Sequence, residues 1–135
     1  MNLSLDTNVV IELLRGQREQ VRARFEHAKV DGATIKLCTI VLYELTAGAM
    51  ASARPHRHMR DLDILLAAIE IEDWTAEDAR VAARLRADLA VKGKGIGSLD
   101  TLIAGQALNR GWTMVTANTR EFTRIDGLTL EDWTR

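Results

Sequence analysis

Strand-like and helical segments alternate along this chain, and that alternation restricts its fold more than any other feature. Apolar and polar residues alternate at 2–5 and at 34–38, which is typical of strands, and further strands are predicted at 69–72, 112–116 and near 128–130. The intervening segments have helical spacing, as in the apolar positions 62, 65, 66 and 69. Strands joined by helices form right-handed crossovers and a mainly parallel sheet. We therefore predict a three-layer α/β/α sandwich, with the sheet between two layers of helices.

Local signals indicate where several helices begin. Thr39 is a candidate N-cap for the helix that follows the second strand. Residues 75–78, Thr-Ala-Glu-Asp, have the outline of a capping box with Asp in place of the usual Glu or Gln. The glycine-rich residues 93–97 predict a flexible loop, after which Ser98 or Leu99 opens another helix.

The length and composition favour one globular domain that spans residues 1–135. A chain of 135 residues with 47% apolar and 27% charged residues can bury one core without disulfides. Cys38 is the single cysteine, and its surroundings predict a buried thiol in a reducing compartment. The apolar residues 9–14 are interrupted by Glu12 and preceded by Asp6, so they suit neither a signal peptide nor a membrane span. We expect a cytoplasmic protein that does not contact membranes.

The charges are unevenly distributed although the net charge is only −1. Residues 80–94 carry five basic side chains against one acid, Asp88, and residues 54–60 hold three arginines and two histidines. Either stretch alone is readily explained as a solvated helix face. Placed around an acidic site, they would instead suit a nucleic-acid backbone.

Acidic and amide side chains stand near the ends of several predicted strands. In open parallel sheets, ligands bind outside the carboxyl ends of the strands, so these positions are expected to meet. The candidates are Asp6, Glu44, Asp100 and the pair Asn118 and Glu121. Carboxylates gathered without a lysine repel one another and favour a bound cation. Oxygen-only ligands are those that Mg²⁺ or Mn²⁺ prefers.

Each acid also has a structural interpretation. Asp6 and Asp100 stand where carboxylates commonly cap a helix or stabilise its first turn. Glu44 is harder to explain in this way, because it lies within the apolar run 40–45, where an unpaired acid is costly. Taken singly these residues would be read as structural, whereas together they favour a site.

Four segments resemble the successive motifs of VapC-type PIN domains, in order and over essentially the whole chain. They are Leu-Asp-Thr-Asn at 5–8, Leu-Tyr-Glu-Leu-Thr-Ala-Gly at 42–48, Gly-Ile-Gly-Ser-Leu-Asp-Thr-Leu-Ile-Ala at 95–104, and Thr-Ala-Asn-Thr-Arg-Glu-Phe at 116–122. The resemblance implies an endoribonuclease toxin that depends on Mg²⁺ or Mn²⁺ and cleaves RNA, with tRNA a candidate substrate. It also implies a small VapB-like antitoxin that covers the site, and a homodimer.

The resemblance also implies roles for individual residues. Asp6, Glu44 and Asp100 correspond to the acidic metal ligands of the family. Asn118 and Glu121 lie where many PIN domains place a fourth acid, and because Asn118 is an amide, the choice between the two stays open. Thr7 is expected to hold a carboxylate or the attacking water through its hydroxyl group. The basic residues of 80–94, with Arg120, are expected to hold RNA phosphates.

Two other functions are compatible with an acid after the first strand. Aspartate-based phosphatases need a second Asp two places later, where this chain has Asn8, and receiver domains need an adjacent acidic pair. A non-catalytic module could use the same acids to bind a basic partner. No serine-hydrolase elbow, nucleotide-binding glycine loop or zinc-ligand spacing is present, and the three histidines at 27, 56 and 58 are expected on the surface.

Overall fold

A computed structural model describes residues 1–135 and contains five strands and seven helices. In chain order they are β1 (Asn2–Leu5), α1 (Thr7–Arg15), α2 (Glu19–Val30), β2 (Thr34–Cys38), α3 (Thr39–Met50), α4 (Pro55–Leu66), β3 (Glu70–Glu72), α5 (Ala76–Val91), α6 (Ser98–Arg110), β4 (Thr113–Val115), α7 (Thr119–Phe122) and β5 (Leu130–Glu131). None of the helices is both long and apolar enough to cross a membrane.

The five strands form one sheet in the order β3-β2-β1-β4-β5, and every neighbouring pair is parallel. The predicted α/β fold with a parallel sheet flanked by helices is therefore confirmed. β1 lies at the centre, and its last residue, Leu5, is paired with Val115 of β4. The residues that follow these two strands, Asp6 and Thr116, consequently lie side by side at the carboxyl edge of the sheet.

The core is formed by the central strands and the inner faces of the helices. Leu5 and Leu37 from the sheet, with Val10 and Ile103 from helices, are completely buried. Burial of each such side chain stabilises the fold by roughly 1.5–3 kcal/mol. The Cys38 thiol is also completely buried, as predicted.

The antiparallel helices α5 and α6 are packed unusually closely, and a polar cluster fixes their ends. A Cβ atom on Gly105 would lie 2.6 Å from that of Ala82, so only glycine permits this approach. Asp78 is fully buried and accepts hydrogen bonds from Asn109 and Arg110. Burial alone would raise the pKa of Asp78, but these hydrogen bonds outweigh it and lower the pKa to about 2. This cluster anchors the helix that carries Asp100.

Some helix boundaries differ from the sequence predictions. The capping box at Thr75 and Asp78 is confirmed, since each side chain accepts from the other's backbone N–H group. The N-cap at Thr39 is wrong: Cys38 is the cap, and the Thr39 hydroxyl accepts from the N–H of Trp74 at 3.1 Å. Helix α7 was not predicted, and β5 begins two residues later than expected, at Leu130.

Candidate active site

Asp6 lies at the centre of an acidic cluster at the carboxyl edge of the sheet. Its side chain is only 5% exposed. Oδ1 accepts from the N–H of Thr7 at 2.8 Å, which makes Asp6 the N-cap of α1, and Oδ2 accepts from the Thr116 hydroxyl at 2.8 Å. Asp6 therefore caps the helix through Oδ1, as its structural interpretation predicts. The bond to Thr116 is not part of a helix cap and fixes the orientation of the carboxylate.

Glu44 reaches the same place from α3. Its side chain is half-buried, and Oε1 accepts from the Thr7 hydroxyl at 2.7 Å. Thr7 therefore contacts two acids, Asp6 through its backbone N–H group and Glu44 through its hydroxyl group. The expectation that Thr7 holds a carboxylate agrees with this contact.

Asp100 stands in the first turn of α6, whose N-cap is Gly97. The structural interpretation of Asp100 as an N-cap is therefore wrong, although a carboxylate in a first turn is still favourable to the helix. A Cβ atom on Gly97 would lie 3.1 Å from Oδ2 of Asp100, so the glycine-rich loop passes directly against the carboxylate.

The fourth acid of the cluster is Glu121, and Asn118 holds it in place. The Asn118 side-chain amide donates to Oε2 of Glu121 at 2.7 Å. The Glu121 carboxylate is close enough to Asp100 for its charge to raise the pKa of Asp100. Asn118 and Glu121 therefore lie together, with the Asn118 amide engaged by the Glu121 carboxylate, and which of them fills the fourth position stays a prediction.

Thr116 is the residue of this cluster that sequence reasoning missed. Its hydroxyl group is buried, donates to Asp6 and accepts from the N–H of Asn118 at 3.0 Å. The resulting hydrogen-bonded path joins, in order, Glu44, Thr7, Asp6, Thr116, Asn118 and Glu121. The pairing of β1 with β4 is the signal that would have located Thr116, since it places Thr116 beside Asp6.

No cation of the protein offsets these four acids, none of which forms an ion pair with lysine, arginine or histidine. Burial and the charges of Asp6, Glu121 and Glu44 raise the pKa of Asp100 to about 6. Burial also raises the pKa of Asp6, against the opposing hydrogen bonds from Thr116 and Thr7. The cluster is therefore charged at a cost, and a cation would relieve that cost.

The donor atoms suit a hard divalent ion. All are carboxylate, hydroxyl or amide oxygens apart from the Asn118 nitrogen, which is already engaged. No three His, Cys, Asp or Glu side chains are arranged to hold an ion together as they stand. Mg²⁺ commonly binds through only one or two carboxylates and keeps several of its waters. It therefore does not need three protein ligands in a closed cage, and this open arrangement of acids suits it.

Substitution of Asp100 by Asn should raise the stability of the chelator-treated protein at pH 7. The pKa of Asp100 is about 6 in the folded protein, against an ordinary value of 3.8. The contribution of Asp100 to the free energy of unfolding therefore falls as the pH rises from about 4 to about 6. Removal of the charge should recover about 1 kcal/mol, allowing for solvent screening. Thermal unfolding at pH 4 and pH 7 measures the gain, which should be confined to the higher pH.

Asp88→Asn, an exposed substitution on α5, is the control and should change little. Added Mn²⁺ should raise the melting temperature of the parent more than that of Asp100→Asn. If Asp100→Asn is strongly destabilised and Mn²⁺ has no effect on the parent, Asp100 serves the helix and not a metal.

The remaining charged residues singled out from the sequence lie elsewhere. All three histidines are exposed, as predicted, and none contacts the acidic cluster. Within the basic stretch 80–94, Arg80 pairs with Glu77 and Lys92 with Asp126. Arg86 lines a separate groove beside the first turn of α6.

Comparison with known proteins gives consistent similarities. The PIN domain family model matches residues 3–128. The chain is 35% identical over 133 residues to "tRNA(fMet)-specific endonuclease VapC" of Shigella flexneri, covering 98% of both chains. It is 36% identical over 129 residues to "Ribonuclease VapC2" of Rickettsia felis, covering 96% of both. The solved structure of VapBC2 from Rickettsia felis, bound to a DNA fragment from its promoter, aligns with a TM-score of 0.93 at 34% identity, over 98% of this chain and 99% of that one.

Proposed function

The chain belongs to the PIN-domain family, and on that premise we propose that it is a metal-dependent endoribonuclease, the toxin of a type II toxin–antitoxin pair. The observation that carries the proposal is the acidic cluster. Four carboxylates from separate parts of the chain meet at one edge of the sheet, three of them linked by hydrogen bonds through Thr7, Thr116 and Asn118, and none is ion-paired with a basic side chain. A purely structural role would not offset the repulsion among these carboxylates.

In the proposed reaction Asp6, Glu44 and Asp100 would hold Mg²⁺ or Mn²⁺, directly or through waters of the ion. When bound, the ion would supply the activation of the water that attacks the phosphodiester bond. Thr116 and Thr7 fix the orientation of the Asp6 carboxylate, and Thr7 does the same for Glu44. Glu121 supplies the fourth acid, held by Asn118.

The substrate class that we propose is RNA, and tRNA is the first to test because one relative is named a tRNA(fMet)-specific endonuclease. The phosphatase alternative has no support in the site, since the position two residues after Asp6 is an exposed Asn8. A binding module that uses the acids only to receive a basic partner is the alternative that an assay must exclude.

Incubation of the purified protein with total tRNA and ribosomal RNA tests the proposal. Discrete fragments should form with Mn²⁺ or Mg²⁺ and disappear when a chelator is added. The Asp6→Asn protein serves as the control for a contaminating nuclease. A protein that binds RNA or a partner but cleaves no RNA with any divalent ion would be a binding module.

We also propose that a VapB-like antitoxin docks in the groove between α1, α3 and α4. The groove has a volume of about 500 Å³, and its apolar lining residues include Ile11, Leu14, Leu45 and Leu62. Glu44 lines it too, so a segment lying there can bring an arginine or lysine to the acids. Solved structures similar to this chain are toxin–antitoxin complexes, which supports such a partner.

A further inference from the structure

The groove between α1, α3 and α4 contains two arginines that have no partner. Arg15 and Arg57 both line it, both are exposed, and neither forms an ion pair or a side-chain hydrogen bond. The groove also holds two acids, Glu44 and Asp61, but neither lies within 4 Å of an arginine nitrogen. Their guanidinium groups are therefore free to bind an external anion.

Arg57 has no evident role in stability. It stands in the first turn of α4, where no acid is present and where the helix dipole disfavours a cation. Asp61 follows one turn later without pairing with it. Arg15, in the last turn of α1, is favourable to its helix, so Arg57 is the more informative of the two.

The groove is continuous with the acidic cluster through Glu44. Glu44 lines the groove and also accepts from Thr7, which in turn donates to Asp6. A chain of phosphates held in the groove by the arginines would therefore lie beside Glu44, at the edge of the acidic cluster. With the divalent ion of the proposed function in place, a phosphodiester backbone suits both the arginines and the acids, whereas an acidic peptide would use only the arginines.

We infer that this groove binds the sugar–phosphate backbone of single-stranded RNA on the Glu44 side of the cleaved bond, with Arg57 and Arg15 each contacting a phosphate. The inference rests on the proposed nuclease function. An unpaired strand suits a concave, partly apolar groove because it can bend and expose its backbone and bases. The RNA and the antitoxin then compete for the whole groove and not only for the acids.

The chain offers a matched control on the same helix. Arg60 is one turn after Arg57 and is also exposed and unpaired, but it does not line the groove. Arg57→Ala and Arg60→Ala thus remove the same charge from nearly the same place. The binding assay uses a fluorescein-labelled single-stranded oligouridylate and the Asp6→Asn protein, so that the RNA is not cut, with each arginine substitution added in turn.

We expect Arg57→Ala to weaken oligouridylate binding about fivefold and to reduce the salt dependence of binding by about 0.7 in the log–log slope. Arg60→Ala should change affinity less than about twofold. In cleavage assays without the Asp6 substitution, Arg57→Ala should raise KM and leave kcat nearly unchanged. Arg57→Lys should restore part of the affinity, and melting curves verify that every variant is folded.

Equal losses in Arg57→Ala and Arg60→Ala, or no loss in either, would overturn the inference. Neither result would affect the proposed function as long as cleavage by the parent protein depends on a divalent ion. Conversely, if the parent cleaves no RNA with any ion, the nuclease proposal itself fails, whatever the arginine substitutions do to binding.

Discussion

Asp6→Asn, Glu44→Gln and Asp100→Asn are each expected to abolish metal-dependent RNA cleavage and to leave the fold intact. Each substitution removes one carboxylate charge from the proposed ion site while keeping nearly the same volume. The loss should exceed the roughly 100-fold that accompanies removal of an outer partner of a metal site. Initial cleavage rates at saturating Mn²⁺ measure the effect, and circular dichroism checks the fold.

Because the three acids act as one site, their losses should not add. The double variant Asp6→Asn/Asp100→Asn should be about as inactive as either single variant. Asp63→Asn, an exposed acid on α4 outside the groove, provides the control and should keep full activity. Normal cleavage by Asp100→Asn, or a double variant far worse than two nearly inactive single ones, would contradict a shared metal site.

The order and type of the main elements were predictable because hydrophobic periodicity reports directly which face of a segment is buried. That signal is clear in β1 and in α4, whose apolar residues repeat at fixed spacing. Helix α7 has only four residues, too few for a period to show, so it was not predicted. The N-cap at Thr39 failed for another reason: a distant backbone N–H group, that of Trp74, uses its hydroxyl.

The candidate site was partly predictable because topology alone brings the carboxyl ends of parallel strands together. Asp6, Glu44 and Asp100 could be selected on this basis. Thr116 could not, since its contact with Asp6 depends on which strand lies beside β1 and in what register. The division of roles between Asn118 and Glu121 likewise depends on a side-chain contact within a short helix.

A count of charges along the sequence could not show which basic residues surround the acids. Residues 80–94 form a basic stretch in the sequence, but a helix distributes successive side chains around its axis. In the structure Arg84 and Lys92 line a groove with Leu108, while Arg86 lines a different groove together with Ser98. Contact of these residues with RNA stays a prediction. Arg57, from the second basic stretch at 54–60, shares a groove with Glu44.

Glu44→Gln should weaken binding of the VapB-like antitoxin by about tenfold or more. On the proposed function, the antitoxin brings an arginine or lysine to the acids, and Glu44 is the one that lines its groove. Removal of one partner from a desolvated charge pair commonly costs 2–5 kcal/mol, and the partial exposure of Glu44 places the expected loss near the lower end. Asp6→Asn should act in the same direction.

Calorimetric titration of the toxin with the antitoxin measures the change. Asp63→Asn is the matched control, because it removes an exposed acid from α4 outside the groove. If Glu44→Gln and Asp6→Asn both bind the antitoxin as tightly as the parent, the antitoxin does not inhibit by placing a cation on the acids. The nuclease proposal would survive that result, because it rests on the cluster itself and on its metal dependence.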